Sequence, residues 1–348
     1  MKTIPLGQSG IEVPEFCLGT MTFGTQTSEA EAHKQIEMSI EAGVNFLDAA
    51  EMYPVNPISP ETQGRTEEII GSWIEKTGRR DEIIVATKHS GAGLAHIRDG
   101  APITGDRIAE VVEGNLRRLK TDVIDLYQLH WPNRGSYMFR QNWGYDPSSQ
   151  NKAATLANMA EVLEALQAQV EKGNIRAFGL SNESSWGTSQ WLRVAEEVGG
   201  PRVASIQNEY SLLCRMFDTD LAELSVNEEV TLMAFSPLAT GLLTGKYQAG
   251  AKPDGSRITV GSSDLGGRVT DRVFDAVDAY LAVAEKHGLD PVHMAMAFTV
   301  QRPFACSSIF GATTLAQLEH ILAGRDLRLS EEVLADINRA HRAHPMPY

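Results

Sequence analysis

Two rhythms of apolar residues alternate along this chain. Short continuous runs, too apolar to face water on either side, are followed by stretches whose apolar residues recur every three or four positions, the spacing of one helix face. The chain opens differently: Thr3-Ile4-Pro5-Leu6, a Gly7-Gln8-Ser9-Gly10 turn and Ile11-Glu12-Val13 predict a hairpin. Continuous runs then fall at 16–21, from Val44, and at 83–88, 123–130, 175–182, 203–207, 230–236 and 307–310. Helical spacing fills the gaps, beginning with Ala32, Ile36 and Ile40, which Ser28 and Glu31 open as a capping box and Gly43 closes. Ile69, Ile70, Trp73 and Ile74 mark the next helix, and Ile108 to Leu119, Leu156 to Val170, and Leu192 to Val198 three more. A short helix near 218–227, one through Val273 and Ala284, and two starting near Pro291 and Thr314 complete the series.

Eight strand-then-helix units with buried strands imply a parallel sheet closed on itself. The expected fold is therefore α/β: a (β/α)8 TIM barrel spanning residues 1–348 as one domain, with an N-terminal hairpin and an extra C-terminal helix from Ser330. A doubly wound open sheet is the alternative, and it would have fewer strands and a Gly-rich first turn. Two long loops interrupt the rhythm, Trp131 to about Ala154 after strand four and Ala239 to about Thr270 after strand seven. Both follow strands, which in a barrel puts them on the catalytic face. The first carries Tyr137, Phe139, Trp143 and Tyr145 and reads as a substrate-contacting flap.

Composition narrows the partners. No Pro-, Ser- or charge-rich stretch divides the chain, and its net charge of −14 disfavours nucleic acid and anionic membranes as partners. Cys17, Cys214 and Cys306 form no CxxC pair and read as reduced core thiols. With no signal-peptide h-region and no membrane-length apolar run, a cytoplasmic protein is expected.

The candidate chemistry lies at strand ends. Asp48 ends the second strand, Lys88 the third and His130 the fourth, while Tyr53 follows in the loop after Asp48. Taken alone, Asp48 and Tyr53 read as a polar anchor and an amphipathic core residue. Period two changes that reading, because Val44, Phe46 and Asp48 share one strand face, as do Ile124, Leu126, Gln128 and His130. The polar ends therefore converge above the barrel axis. Such a set suits proton delivery: an ammonium beside a phenol lowers its pKa, Asp48 keeps Lys88 charged and aimed, and His130 hydrogen-bonds a substrate carbonyl. His130 lacks neighbouring His or Cys at zinc spacing, so no metal site is expected, and no GxSxG supplies a nucleophile elbow. Gly91-Ala92-Gly93 lacks the final glycine of a dinucleotide fingerprint, and Gly241 to Lys246 is one residue short of a P-loop. Carbonyl reduction still needs a hydride donor. Ser181, Asn182 and Gln207 offer groups suited to a carboxamide, Tyr210 a face for a flat ring, and the turns near Gly241 and at Gly311 to Thr314 backbone N–H groups for phosphates.

The motifs DAAEMY (48–53), ATKHS (86–90), LHWP (129–132), GLSN (179–182), IQNEYSLL (206–213), SPLATGLLTGKY (236–247) and GATTLAQLEHI (311–321) together resemble the aldo-keto reductase family. The likeness runs from Leu6 to the last helix and is strongest to the bacterial Tas-type subgroup, akin to potassium-channel β subunits. It implies an NADP(H)-dependent reductase of small-molecule aldehydes or ketones, with Asp48, Tyr53, Lys88 and His130 as catalytic tetrad and Tyr53 as general acid. The cofactor contacts it implies are Gly19, Thr20, Met21, Asp48, Ser181, Asn182, Gln207, Tyr210, Ser236, Pro237, Leu238, Gly241, Leu242, Thr244, Lys246, Gly311, Thr313 and Gln317. Tyr53, His130, Trp131 and Trp143 would meet the substrate. Gln317 stands where many members carry an arginine for the 2′-phosphate, and Ile321 where they carry an adenine-contacting asparagine, so NADH stays open beside NADPH. The same resemblance admits a redox-sensing regulatory subunit that binds NADP(H) with negligible turnover.

Overall fold

The computed structural model describes residues 1–348. A hairpin comes first, β1 (Thr3–Pro5) paired antiparallel with β2 (Glu12–Pro14). The barrel then alternates β3 (Phe16–Gly19), α1 (Glu29–Glu41), β4 (Phe46–Asp48), α2 (Arg65–Thr77), β5 (Ile84–His89), α3 (Gly105–Leu119), β6 (Ile124–Leu129) and α4 (Lys152–Glu171). It continues through β7 (Ile175–Ser181), α5 (Ser185–Val198), β8 (Val203–Glu209), α6 (Asp220–Asn227) and β9 (Thr231–Phe235). After a short α7 (Arg257–Val260) come α8 (Val273–Lys286), α9 (Pro291–Val300), β10 (Cys306–Phe310), α10 (Leu315–Ala323) and α11 (Glu331–Ala343). All eight strands from β3 to β10 are parallel and close in the order β10-β3-β4-β5-β6-β7-β8-β9. The chain therefore folds as the (β/α)8 barrel that its alternating rhythms predict, with the hairpin in front and α11 appended.

Two cores hold it. Inside the barrel, Cys17, Phe46, Ala86, Leu126, Ala177, Ala204, Met233 and Ile309 pack on one another and on Ile4, Leu6, Ile11 and Val13 of the hairpin region. Small side chains alternating with large ones fill the narrow interior, and the hairpin plugs one end. Its turn sits against β8 so closely that a Cβ on Gly7 would lie 2.5 Å from the Ala204 carbonyl oxygen. The outer core, between sheet and helices, gathers the apolar stripes of the helices, including Ile36, Ile70, Trp73, Val112, Leu163 and Leu166. Side-chain caps at Ser28, Ser184, Asp290, Thr314 and Ser330 start five helices, each contributing about 1 kcal/mol.

Boundaries differ from expectation at two places that matter for the site. Strand β8 runs two residues beyond Gln207, because Asn208 and Glu209 pair in register with Ala234 and Phe235 of β9. The 239–270 loop is not structureless: it carries a 3-10 segment at Ala239–Thr244 and the α7 turn. No helix is long and apolar enough to cross a membrane.

Candidate active site

The register of the barrel places the tetrad. Asp48 pairs with Ala86, two residues before Lys88, and Lys88 pairs with Gln128, two residues before His130. Because Phe46, Ala86 and Leu126 point into the barrel, period two carries Asp48, Lys88, Gln128 and His130 to the same side at successive heights. Lys88 is fully buried, and its Nζ donates to Asp48 Oδ2 at 2.7 Å, to the Ala49 carbonyl at 2.7 Å and to the Tyr53 hydroxyl at 3.5 Å. The other carboxylate oxygen of Asp48 accepts from Gln207 Nε2 at 2.8 Å and from Gln128 Nε2 at 3.4 Å. A buried ion pair offsets its desolvation cost only when the remaining polar atoms are also bonded, and these amides meet that condition.

Electrostatics refine the expected roles. Burial raises the Tyr53 pKa and outweighs the downward pull of Lys88, so the phenol sits above its ordinary value, contrary to the expectation that the lysine dominates. Burial also works against the charge on Lys88, yet Asp48 and Tyr53 hold it above the ordinary lysine value. Burial, helped by Lys88, pushes His130 well below 6.5, which makes it a neutral imidazole. Its Nδ1 is buried without a partner, so the tautomer protonated at Nε2 is the one able to donate to a carbonyl oxygen.

The loop carrying Tyr53 is pinned at both sides. Glu51 N–H donates to the Lys88 carbonyl, and Gly64 N–H to that of Tyr53. The buried Glu51 carboxylate takes both terminal nitrogens of Arg98 at 2.8 Å and the Ser90 N–H, which locks the loops after β4 and β5 together. Burial alone would lift the Glu51 pKa; Arg98 and that N–H hold it low. Sequence reasoning missed Glu51, although it lies inside the DAAEMY motif.

Ser181, Asn182 and Gln207 join the tetrad from the ends of β7 and β8. Asn182 has left-handed backbone (φ 54°), and its Nδ2 donates to the His130 carbonyl and to Ser181 Oγ, which in turn donates to the Gln207 carbonyl. Asn182 Oδ1 is buried and unbonded, an acceptor left free.

The sequence profile of the Aldo/keto reductase family matches residues 15–342. The chain belongs to that family. It is 43% identical to "Protein tas" of Escherichia coli over 344 residues, 97% of each chain. It is 28% identical to "Uncharacterized oxidoreductase YrpG" of Bacillus subtilis over 343 residues, covering 97% of this chain and 95% of that one. A "Probable voltage-gated potassium channel subunit beta" of Arabidopsis thaliana is 29% identical over 357 residues, covering 98% and 96%. Aldo/keto reductases are oxidoreductases that generally work with NADP(H).

In this aldo/keto reductase the other expected contacts divide. Thr20 is committed to the scaffold, its N–H and Oγ1 both donating to the Asp48 carbonyl, and Gly19 lets β3 approach β10, since a Cβ there would lie 2.9 Å from Ile309. Met21 is half-buried beside them and accepts the Val55 N–H. Ser236, again left-handed, Pro237 and Leu238 lead into the 3-10 segment, where Gly241 (φ 94°) lies under the folded-back Lys246 side chain. Thr244 Oγ1 donates to the Gly241 carbonyl, and Leu242 is wholly buried. Gly311 is exposed, while Gln317 Oε1 accepts from both N–H and Oγ1 of Thr313, closing the start of α10. Ile321 is buried in the outer core.

Two expected contacts are not brought to the site. Tyr210 is wholly buried, its ring stacked on Phe298 with Phe217 and Phe304 at its edges and its hydroxyl donating to Asp218, so neither face is free for a ligand ring. The reason is register: β8 continues to Glu209, and Tyr210 then turns outward into the helix layer. Phe235, two residues beyond inward-facing Met233, is partly buried and packs against the same interior cluster. Trp143 is 64% exposed beneath the Arg272 guanidinium and contacts no tetrad member. Trp131 does reach the site, 4.9 Å from the His130 ring with its indole N–H on the Ala92 carbonyl, and Phe139 packs edge-on against it. A cavity of about 440 Å³ lies behind Trp131 and is lined by no tetrad residue.

Two charged features were not singled out from the sequence. Arg257 of α7 is pushed down to about 10 by burial and by Arg268, has no carboxylate partner, and lies within electrostatic reach of Tyr53. Glu209 is a buried acceptor for Arg140 Nη1 at 2.7 Å, Arg268 Nε at 2.8 Å and the Tyr348 hydroxyl at 3.1 Å. Arg140 comes from the 131–154 loop and Arg268 from the 239–270 loop.

Proposed function

We propose that this aldo/keto reductase reduces aldehydes or ketones to alcohols with NADP(H), Tyr53 giving the proton. The observation that carries the reading is the Asp48–Lys88–Tyr53 chain of contacts beside a neutral His130. A phenol held above its ordinary pKa stays protonated at neutral pH and is ready to donate. The alkoxide that forms during reduction is far more basic than a phenolate, so the transfer runs downhill, and Lys88 stabilises the phenolate left behind. His130 Nε2–H positions the carbonyl oxygen, and Trp131 and Phe139 form the apolar wall beside it.

The residues present fit the cofactor. The unbonded Asn182 Oδ1 matches the N–H of a carboxamide, and Phe235 offers a flat surface. When bound, the reduced nicotinamide supplies the hydride. Ser181, Asn182 and Gln207 would hold its carboxamide. Backbone N–H groups near Gly241, with Lys246 and the unpaired Arg257, would hold the phosphates. Gln317 is spent on Thr313 and offers no cation for a 2′-phosphate, which supports weak discrimination between NADPH and NADH.

Tyr53→Phe is the direct test. It is expected to leave NADPH binding, read by fluorescence titration, within about twofold while lowering turnover of an aldehyde panel by roughly 100-fold or more. Full turnover in that variant would refute the tyrosine as acid. The similarity to potassium channel β subunits supports a second reading, a nucleotide-binding regulatory subunit. Oxidation of bound NADPH in a single slow turnover, with no steady-state rate on any carbonyl, would favour it.

A further inference from the structure

Asp290, His293 and His320 meet where the start of α9 faces the second half of α10. They offer one ligand atom each, all within 4.8 Å of one another. Asp290 Oδ1 caps α9 by accepting the N–H groups of Val292 and His293, and Oδ2 lies 2.9 Å from His320 Nε2. His293 Nε2 lies 2.7 Å from the His320 carbonyl and must donate to it, which leaves the lone pair of the neutral ring on Nδ1. That is the arrangement metal-binding histidines show: one nitrogen donates to a backbone carbonyl and fixes the ring, and the other is free to coordinate. The two rings stand at 89° with centroids 5.1 Å apart. Space for the first ring is built in, since a Cβ on Gly324 would come within 2.3 Å of His293 Cγ. Gly324 has an ordinary φ of −90°, so room for the imidazole rather than backbone freedom is what a side chain there would take away.

We propose that these three residues bind one zinc-class divalent cation. Two imidazoles and a carboxylate suit zinc, with water in a fourth position open to solvent. No lysine or arginine pairs with Asp290; its one side-chain partner is His320 Nε2, and the ion would take the place of the hydrogen between them. A second His/carboxylate group at His287, Glu332 and Asp336 is a poor competitor, because Asp336 already pairs with Lys286 and Arg339. Binding would tie α9 to α10 without touching the tetrad, and the proposal is independent of the reductase reading.

The test is titration of the full chain, freed of metal by a chelator, with zinc chloride by calorimetry, alongside unfolding midpoints with and without zinc. One ion per chain is expected, with a midpoint that rises with zinc concentration. His320→Ala, at a half-exposed position, should weaken binding about 100-fold, and Gly324→Ala, which keeps every ligand but displaces the His293 ring, about tenfold. His287→Ala should change nothing. Absence of saturable binding would overturn the proposal, as would equal affinity in wild type and His320→Ala, or loss of binding in His287→Ala instead.

Discussion

Lys88→Met would remove the ammonium that lies beneath Tyr53. At 3.5 Å and an effective dielectric near 20, that charge is worth about 5 kcal/mol to a full phenolate. A transition state with about half of the charge developed feels about half of it, and at 1.36 kcal/mol per decade the loss in kcat/KM is roughly 50- to 100-fold. The same substitution strands Asp48 as a buried carboxylate and should cost about 3–5 kcal/mol of stability, so an inactive single variant is ambiguous. Asp48→Asn/Lys88→Met separates the effects, because removing both charges relieves the stranded carboxylate without restoring the ammonium. Urea unfolding should show the double variant recovering most of the lost stability. Its reduction of an aldehyde, followed through oxidation of NADPH, should stay at least as low as that of the single variant. If activity returns together with stability, Lys88 acts only as a structural partner of Asp48 and the electrostatic reasoning fails.

Two other outcomes follow from the geometry. Gln317→Arg should raise the preference for NADPH over NADH about tenfold or more by supplying the missing 2′-phosphate partner, checked by parallel cofactor titrations. Burial lowers the His89 pKa to about 4 from 6.5, so the unfolded chain takes up the proton first as pH falls. The stability contributed by the neutral ring is complete above 6.5 and is lost as pH falls toward about 4. In urea midpoints measured between pH 7 and 4.5, His89→Gln should lose stability less steeply than wild type.

The convergence of Asp48, Lys88 and His130 was legible because a strand's period and its polar end are both local properties. Asp48, Lys88 and His130 each end an apolar run, and parallel register then places them together. Tyr210 was misread for a complementary reason: its direction depends on where β8 stops, and only pairing with β9 carries that strand to Glu209. The position of Phe235 could have been found by counting two residues on from an inward Met233, but which residues of β9 point inward is decided by closure of the barrel. Trp143 drew notice through composition, and composition does not say which way a loop folds. Arg257, and the meeting of Asp290 with His320, lay beyond sequence reasoning because they depend on how separate segments pack.

Glu209 gives the two long loops a shared fate. One carboxylate serves a guanidinium from each, so neither loop can lift away without leaving its carboxylate short of a partner. The arms are unequal: burial and Arg268 depress Arg140, whereas Glu209 holds Arg268 above its ordinary value despite burial. Arg140 makes one side-chain hydrogen bond, to Glu209, whereas Arg268 also donates to the Leu265 carbonyl and to Ser236 Oγ. Displacing one loop should therefore loosen the other, and because the shared carboxylate is buried, salt should weaken that coupling little.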